Sequence, residues 1–89
     1  MEIEFDPAKN ARNVAERGLA FSLASDFDFA TALVWSDTRN NYGEDRMIAL
    51  GLIEDRLHAL VYVETDIGIR VISLRKANTR ERDRYAQTT

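Results

Sequence analysis

Arg46-Met47-Ile48-Ala49-Leu50-Gly51-Leu52-Ile53 and Leu57-His58-Ala59-Leu60-Val61-Tyr62-Val63-Glu64, separated only by Glu54-Asp55-Arg56, decide the fold. A three-residue polar connection between two apolar runs predicts a β-hairpin. Downstream, Thr65-Asp66-Ile67-Gly68 turns the chain into Ile69-Arg70-Val71-Ile72-Ser73-Leu74, whose β-branched content predicts another strand. Asn78 and Glu81 form a capping box that opens a helix through Tyr85. Upstream, the apolar run Ala32-Leu33-Val34-Trp35 reads as a strand, and Asp37 to Gly43 as a turn-rich loop. Ser22 is expected to cap a helix ending near Ala30, with Leu23, Phe27 and Ala30 at helical spacing and Asp26 near its first turn. Asp6-Pro7 starts a helix that runs from Pro7 to Arg17 and stops at Gly18, with Ala11, Val14 and Ala15 as its apolar stripe. Glu2-Ile3-Glu4-Phe5 alternates as a short half-buried strand does. The expected order is β-α-α-β-β-β-β-α. That is an α+β class, an antiparallel sheet with two N-terminal helices and one C-terminal helix.

At 89 residues, the chain fits one domain spanning 1–89, and with 45% apolar and 30% charged residues its composition is that of a folded protein. The absence of cysteine excludes disulfides and thiolate zinc sites, and a lone histidine excludes a two-histidine relay. No spaced set of carboxylates converges by pattern on a metal; Asp26 and Asp28, two apart on an expected helix, diverge. No cofactor is expected, and no Gly-rich phosphate loop is present. The N-terminus has no basic region followed by an apolar stretch, and no run approaches the roughly 18 residues of a membrane span. The expectation is an intact cytoplasmic protein that meets no membrane.

Charge is unevenly placed. Residues 1–69 carry six Lys and Arg against thirteen Asp and Glu, a net −7, whereas residues 70–89 carry six against two, a net +4. A basic end on an acidic body suits an anionic ligand at one face and a cationic partner elsewhere. Glu64 to Tyr85 holds the richest chemistry. RNA cleavage without a metal requires a base for the 2′-hydroxyl, cations for the phosphorane and a proton for the leaving oxygen. Glu64 would be the base, Arg70 and Arg75 the phosphate clamp, and Tyr85 or Tyr62 would stack or donate. The competing reading makes Glu64 and Arg70 an edge-strand ion pair and leaves Arg75 to trim a solvated turn. Lys9 and Arg12 share a helix face and extend a basic surface or simply solubilise it. Glu44, Asp45 and Arg46 flank a bound strand or blunt a sheet edge. Trp35 and Tyr42 are candidate stacking platforms, Trp35 reading better as core. His58 lies about 20 Å along the strand from Glu64, at roughly 3.3 Å per residue, and is left out of the site.

Three groups of residues together carry a resemblance. The first is Phe5-Asp6-Pro7-Ala8-Lys9 with Asn13 and Gly18; the second is Gly43-Glu44-Asp45-Arg46. The third is Ile69-Arg70-Val71-Ile72-Ser73-Leu74-Arg75-Lys76-Ala77 with Glu81-Arg82-Asp83-Arg84-Tyr85. In order and spacing the chain resembles the BrnT family of small toxins along nearly its whole length. The resemblance implies a RelE-like ribonuclease fold and a toxin that cleaves RNA and blocks translation. It also implies a BrnA-like ribbon-helix-helix antitoxin that neutralises the toxin, in an expected 2:2 complex, and contacts operator DNA on behalf of both. It places Glu64, Arg70, Ser73 and Arg75 in the family's strand motif. Together with the reading of the residues, the expected site has Glu64, Arg70 and Arg75 as catalytic residues and Lys9, Arg46, Ser73 and Tyr85 against the substrate. Arg17 stands where relatives have a histidine, Val63 where many have threonine and Leu74 where alanine is usual. Arg17 cannot titrate near neutrality, so the alternative implied is an attenuated toxin fold acting mainly as an antitoxin-binding co-repressor.

Overall fold

A computed structural model of the chain describes residues 1–39 and 43–88. Its elements are β1 (Glu2–Phe5), α1 (Pro7–Arg17), a short 3-10 helix (Phe21–Asp26), β2 (Leu33–Ser36), β3 (Arg46–Ile53), β4 (Arg56–Glu64), β5 (Gly68–Lys76) and α2 (Thr79–Thr88). The strands form one sheet in the order β1-β5-β4-β3-β2. β2 to β5 pair antiparallel, but β1 lies parallel to β5, with Ile3 opposite Ile69 and Phe5 opposite Val71. The α+β class stands, and the expected antiparallel sheet is corrected to a mixed one. The parallel edge follows from α1, which carries the chain away from β1 before the meander begins.

Alternation gives the sheet two faces. On one, Ala49, Leu60, Tyr62, Ile69, Val71 and Leu74 pack under Phe21, Ala24 and Phe27. On the other, Leu50, Leu57 and Ala59 pack with Ala77 and, less fully buried, Trp35 and Tyr85. The β3–β4 connection is tighter than expected: Ile53 pairs with Arg56, leaving the two-residue turn Glu54-Asp55, with Glu54 at φ 55°.

The second N-terminal helix is corrected too. Ser22 does not cap it; the turn opens after Ala20, with the Phe21 N–H donating to Asn10 Oδ1 at 2.8 Å. Helical winding stops at Asp26 because the strand edge captures the chain, Phe27 bridging Ile53 and the Asp28 N–H donating to the Leu52 carbonyl at 2.9 Å. The Phe27 ring fills the space over Gly51 where a Cβ would stand.

α1 has the expected ends: Asp6 accepts from the Ala8 N–H, and Gly18 closes it at φ 71°. Its expected apolar stripe is not what docks it, since Ala11, Val14 and Ala15 are exposed and Asn13 is its one buried residue. The Asn13 amide donates to the carbonyls of Leu19 (2.8 Å) and Leu74 (2.9 Å), so the helix hangs on the sheet by hydrogen bonds.

Candidate functional site

The register of β4 with β5 slips once. Val61 opposes Ser73 and Tyr62 opposes Val71, which leaves Ile72 as an extra residue on β5. This bulge has a chemical consequence. Strict alternation would put Arg70 on the opposite face from Ser73 and Arg75. With the bulge, Arg70 (opposite Val63), Ser73 (opposite Val61) and Arg75 (opposite Ala59) all share the face of Leu50 and Ala59. Arg46 also opposes Val63, so Arg46 and Arg70 stand on either side of one valine. α2 covers the far half of this face through Trp35 and Tyr85.

The two arginines converge on Glu44, which ends the loop leading into β3. Arg70 Nη2 donates to Glu44 Oε2 at 2.5 Å and Arg46 Nε to Oε1 at 3.4 Å. The Arg70 hydrogen bond outweighs the opposing desolvation and, with Arg46 adding its share, holds the Glu44 carboxyl below its ordinary 4.5. This cluster opens on a pocket of about 380 Å³ whose other walls include Lys9, Glu4 and Ile72. Among the described residues, it is the place where sequence-derived site residues meet. Ser73 lies next to it, its Oγ accepting from Arg17 Nη1 at 3.3 Å.

Three expected residues lie elsewhere. Glu64 pairs with Ile69 and shares the face of Tyr62, opposite to that of Arg70; it is exposed beside Ser36, Asp45 and Met47. The edge-strand pair Glu64–Arg70 does not form, because Arg70 reaches Glu44. Arg75 forms a two-pronged ion pair with Glu81, at 2.7 and 2.8 Å, and so fastens β5 to α2. That hydrogen bond is the largest influence on both partners, raising Arg75 and lowering Glu81. Tyr85 donates its hydroxyl to the Thr31 carbonyl at 3.2 Å as part of the α2 packing.

Tyr62 is core, 5% exposed, and burial, more than the nearby Glu64, raises its pKa. Trp35 is half-buried under the Arg84 guanidinium, 4.0 Å from its ring centroid. Tyr42 lies outside the described residues. His58 is buried, its Nδ1–H donating to the Arg56 carbonyl at 2.8 Å, towards the opposite end of β4 from Glu64, as expected. Glu44 as the carboxylate shared by both arginines, and Asn13 with Arg17 beside Ser73, escaped the sequence reading. The string Gly43-Glu44-Asp45-Arg46 was the available signal for the first; nothing local marks the second.

These features define a small α+β protein with a half-open sheet face on which guanidiniums gather round a carboxylate. Comparison with known families makes the class particular. Residues 5–81 match the family described as ribonuclease toxin, BrnT, of type II toxin-antitoxin systems, and the chain belongs to that family. Membership makes RNA the substrate class and an antitoxin the partner. No curated protein matches the chain. No helix among the described residues is long and apolar enough to cross a membrane.

Proposed function

We propose that the protein cleaves RNA without a metal at the Lys9–Glu44–Arg46–Arg70 pocket. The observation that carries this is the convergence of Arg46 and Arg70 on one carboxylate beside a lysine, on the half of the sheet face that α2 leaves open. The scissile phosphate competes with Glu44 for the Arg70 fork, whose paired donors fit two phosphate oxygens and keep their charge throughout. Once Arg70 turns to the phosphate, the Glu44 carboxylate is released from the hydrogen bond that depresses its pKa and becomes the stronger base. It takes the 2′-hydroxyl proton, the 2′-oxygen attacks phosphorus, and the bond to the 5′-oxygen breaks as that oxygen takes a proton from water. Lys9, Arg46 and Arg70 stabilise the extra negative charge of the phosphorane. The product ends are a 2′,3′-cyclic phosphate and a 5′-hydroxyl.

Glu44 here takes the role expected for Glu64, while Arg75 serves to hold α2. The wider reading keeps a RelE-like ribonuclease fold, inhibition of translation, and neutralisation by a BrnA-like ribbon-helix-helix antitoxin in a 2:2 complex. It is supported by family membership and by the acidic body that a cationic inhibitor would meet. A second reading, an attenuated toxin kept as antitoxin-binding co-repressor, draws support from one observation: Arg75 is already committed to Glu81.

Single-turnover cleavage of a defined RNA by Glu44→Gln and Glu64→Gln decides the base. Glu44→Gln is expected to slow cleavage by about 10²–10⁴-fold, the usual worth of general acid–base catalysis, with Glu64→Gln within a few-fold of wild type. The reverse order would return the role to Glu64, and a folded wild type that leaves RNA intact would favour the co-repressor.

A further inference from the structure

Beside the Arg70 pocket lies a second, more strongly positive hollow of about 260 Å³, between α1 and β5, into which Lys9, Arg12 and Arg17 all face. Lys9, Asn13 and Arg17 are spaced four apart and form one stripe of the helix, with Arg12 on the adjoining one. Among the described residues, none of the three cations stands in an ion pair, in contrast to Arg70 and Arg75. Glu16 is the one carboxylate in the lining. Gathering unpaired like charges on a short helix costs free energy, which an anion in the hollow would offset.

Arg17 is held in place for such a ligand. Asn13 is buried, and both protons of its amide are taken up by the Leu19 and Leu74 carbonyls, so its Oδ1 is left facing the Arg17 guanidinium at 3.4 Å. Ser73 Oγ meets the same guanidinium nitrogen at 3.3 Å, and its own proton remains available to an anion. Lys9 and Ile72 line both this hollow and the Arg70 pocket, which makes the two contiguous along β5. Arg70 and Ser73 lie opposite Val63 and Val61, two residues apart on β4, so about 7 Å separates them along the sheet at roughly 3.3 Å per residue. That is the scale on which nearby phosphates follow one another along a single strand.

We propose that Lys9, Arg12 and Arg17, with Ser73, form a second phosphate subsite that holds an RNA backbone phosphate flanking the scissile one. This rests on the reading of the Arg70 pocket as the place of cleavage. Arg17 keeps its proton throughout, so its contribution is to binding and register, and Asn13 is a positioning residue that acts through Arg17.

The test is titration of a short 2′-O-methyl RNA, which cannot be cut, over a range of salt concentrations. Wild type, Arg17→Gln, Arg17→Lys and Arg70→Ala are compared, with cleavage of the unmodified RNA measured alongside. Removing one cation from a single-stranded phosphate flattens the salt dependence by about 0.7 in log–log slope. Arg17→Gln is expected to weaken binding about tenfold, as the loss of one charge-assisted hydrogen bond does, and to flatten the slope by that amount. Arg17→Lys restores the slope, and in cleavage the Arg17→Gln loss is carried by KM. Unchanged affinity and slope in Arg17→Gln would overturn the subsite whatever Arg70→Ala does. A weakening seen only for purified antitoxin, with RNA binding intact, would overturn it in favour of an acidic protein segment. Cleavage by Arg70→Ala at the wild-type rate would instead overturn the reading of the Arg70 pocket, and the titration of Arg17→Gln would still decide whether the hollow binds phosphate.

Discussion

Asn13 shows how much one buried side chain can organise. Its amide ties α1 to the chain at Leu19 and to β5 at Leu74, and its carbonyl oxygen orients Arg17. Asn13→Ala leaves two carbonyls without their donor, and a loss of about 1–3 kcal/mol in chemical denaturation is expected, the cost of unsatisfied buried polar groups. Asn13→Asp should fare no better, because a carboxylate cannot donate to either carbonyl. Gly68 is constrained differently. A Cβ there would sit 2.0 Å from the Glu2 carbonyl oxygen, in the β1–β5 pairing. Gly68→Ala must push β1 off its neighbour, at about the 1–3 kcal/mol typical of overpacking, with amide protection lost first in β1 by hydrogen exchange. Protection unchanged along Glu2–Phe5 would contradict the placement of that strand.

Among the elements, α2 is the least deeply attached. None of its residues is buried, and it is fastened by the Arg75–Glu81 fork, the Tyr85 hydroxyl and the Arg84–Trp35 stack. Glu81 also closes the capping box, its carboxylate accepting from the Asn78 N–H while Asn78 Oδ1 accepts from the Glu81 N–H. Arg75 holds the Glu81 carboxyl below its ordinary 4.5, so the stabilisation this carboxylate supplies is complete above that value. It drains away as pH falls through the lowered value of the folded state. Thermal melts of wild type and Glu81→Gln should therefore differ at neutral pH and converge as pH falls below about 4.5. A gap that stayed constant down to acid pH would mean that Glu81 acts through packing and not through charge.

At the scale of the whole molecule, the sequence made the strands legible because local signals marked them. The hairpin runs, the Asp6-Pro7 start, the Gly18 stop and the Asn78–Glu81 box all act over a few residues, and each lies within a residue of where it was expected. What escaped was decided between distant segments. The parallel docking of β1, the capture of Phe27 by the edge of β3 and the extra residue at Ile72 carry no local mark. The bulge matters most, because alternation through Ile72 scatters Arg70, Ser73 and Arg75 over two faces, whereas the real register unites them. The same limit explains Glu64, whose face depended on pairing, and Glu44, whose partner Arg70 lies 26 residues away. Charge followed the same rule: the chain is −3 overall, yet Lys9, Arg12, Arg17, Arg46 and Arg70 line the two hollows beside α1 and β5. The measurement that bears most directly on the central claim is incubation of a defined RNA in EDTA with purified wild type and Arg70→Ala, followed by chemical identification of the fragment ends. Wild type is expected to leave 2′,3′-cyclic phosphate ends, and the variant to lose at least about 10²-fold in cleavage, the cost of one transition-state donor. Cleavage that required added divalent metal, or that survived loss of Arg70, would contradict that claim.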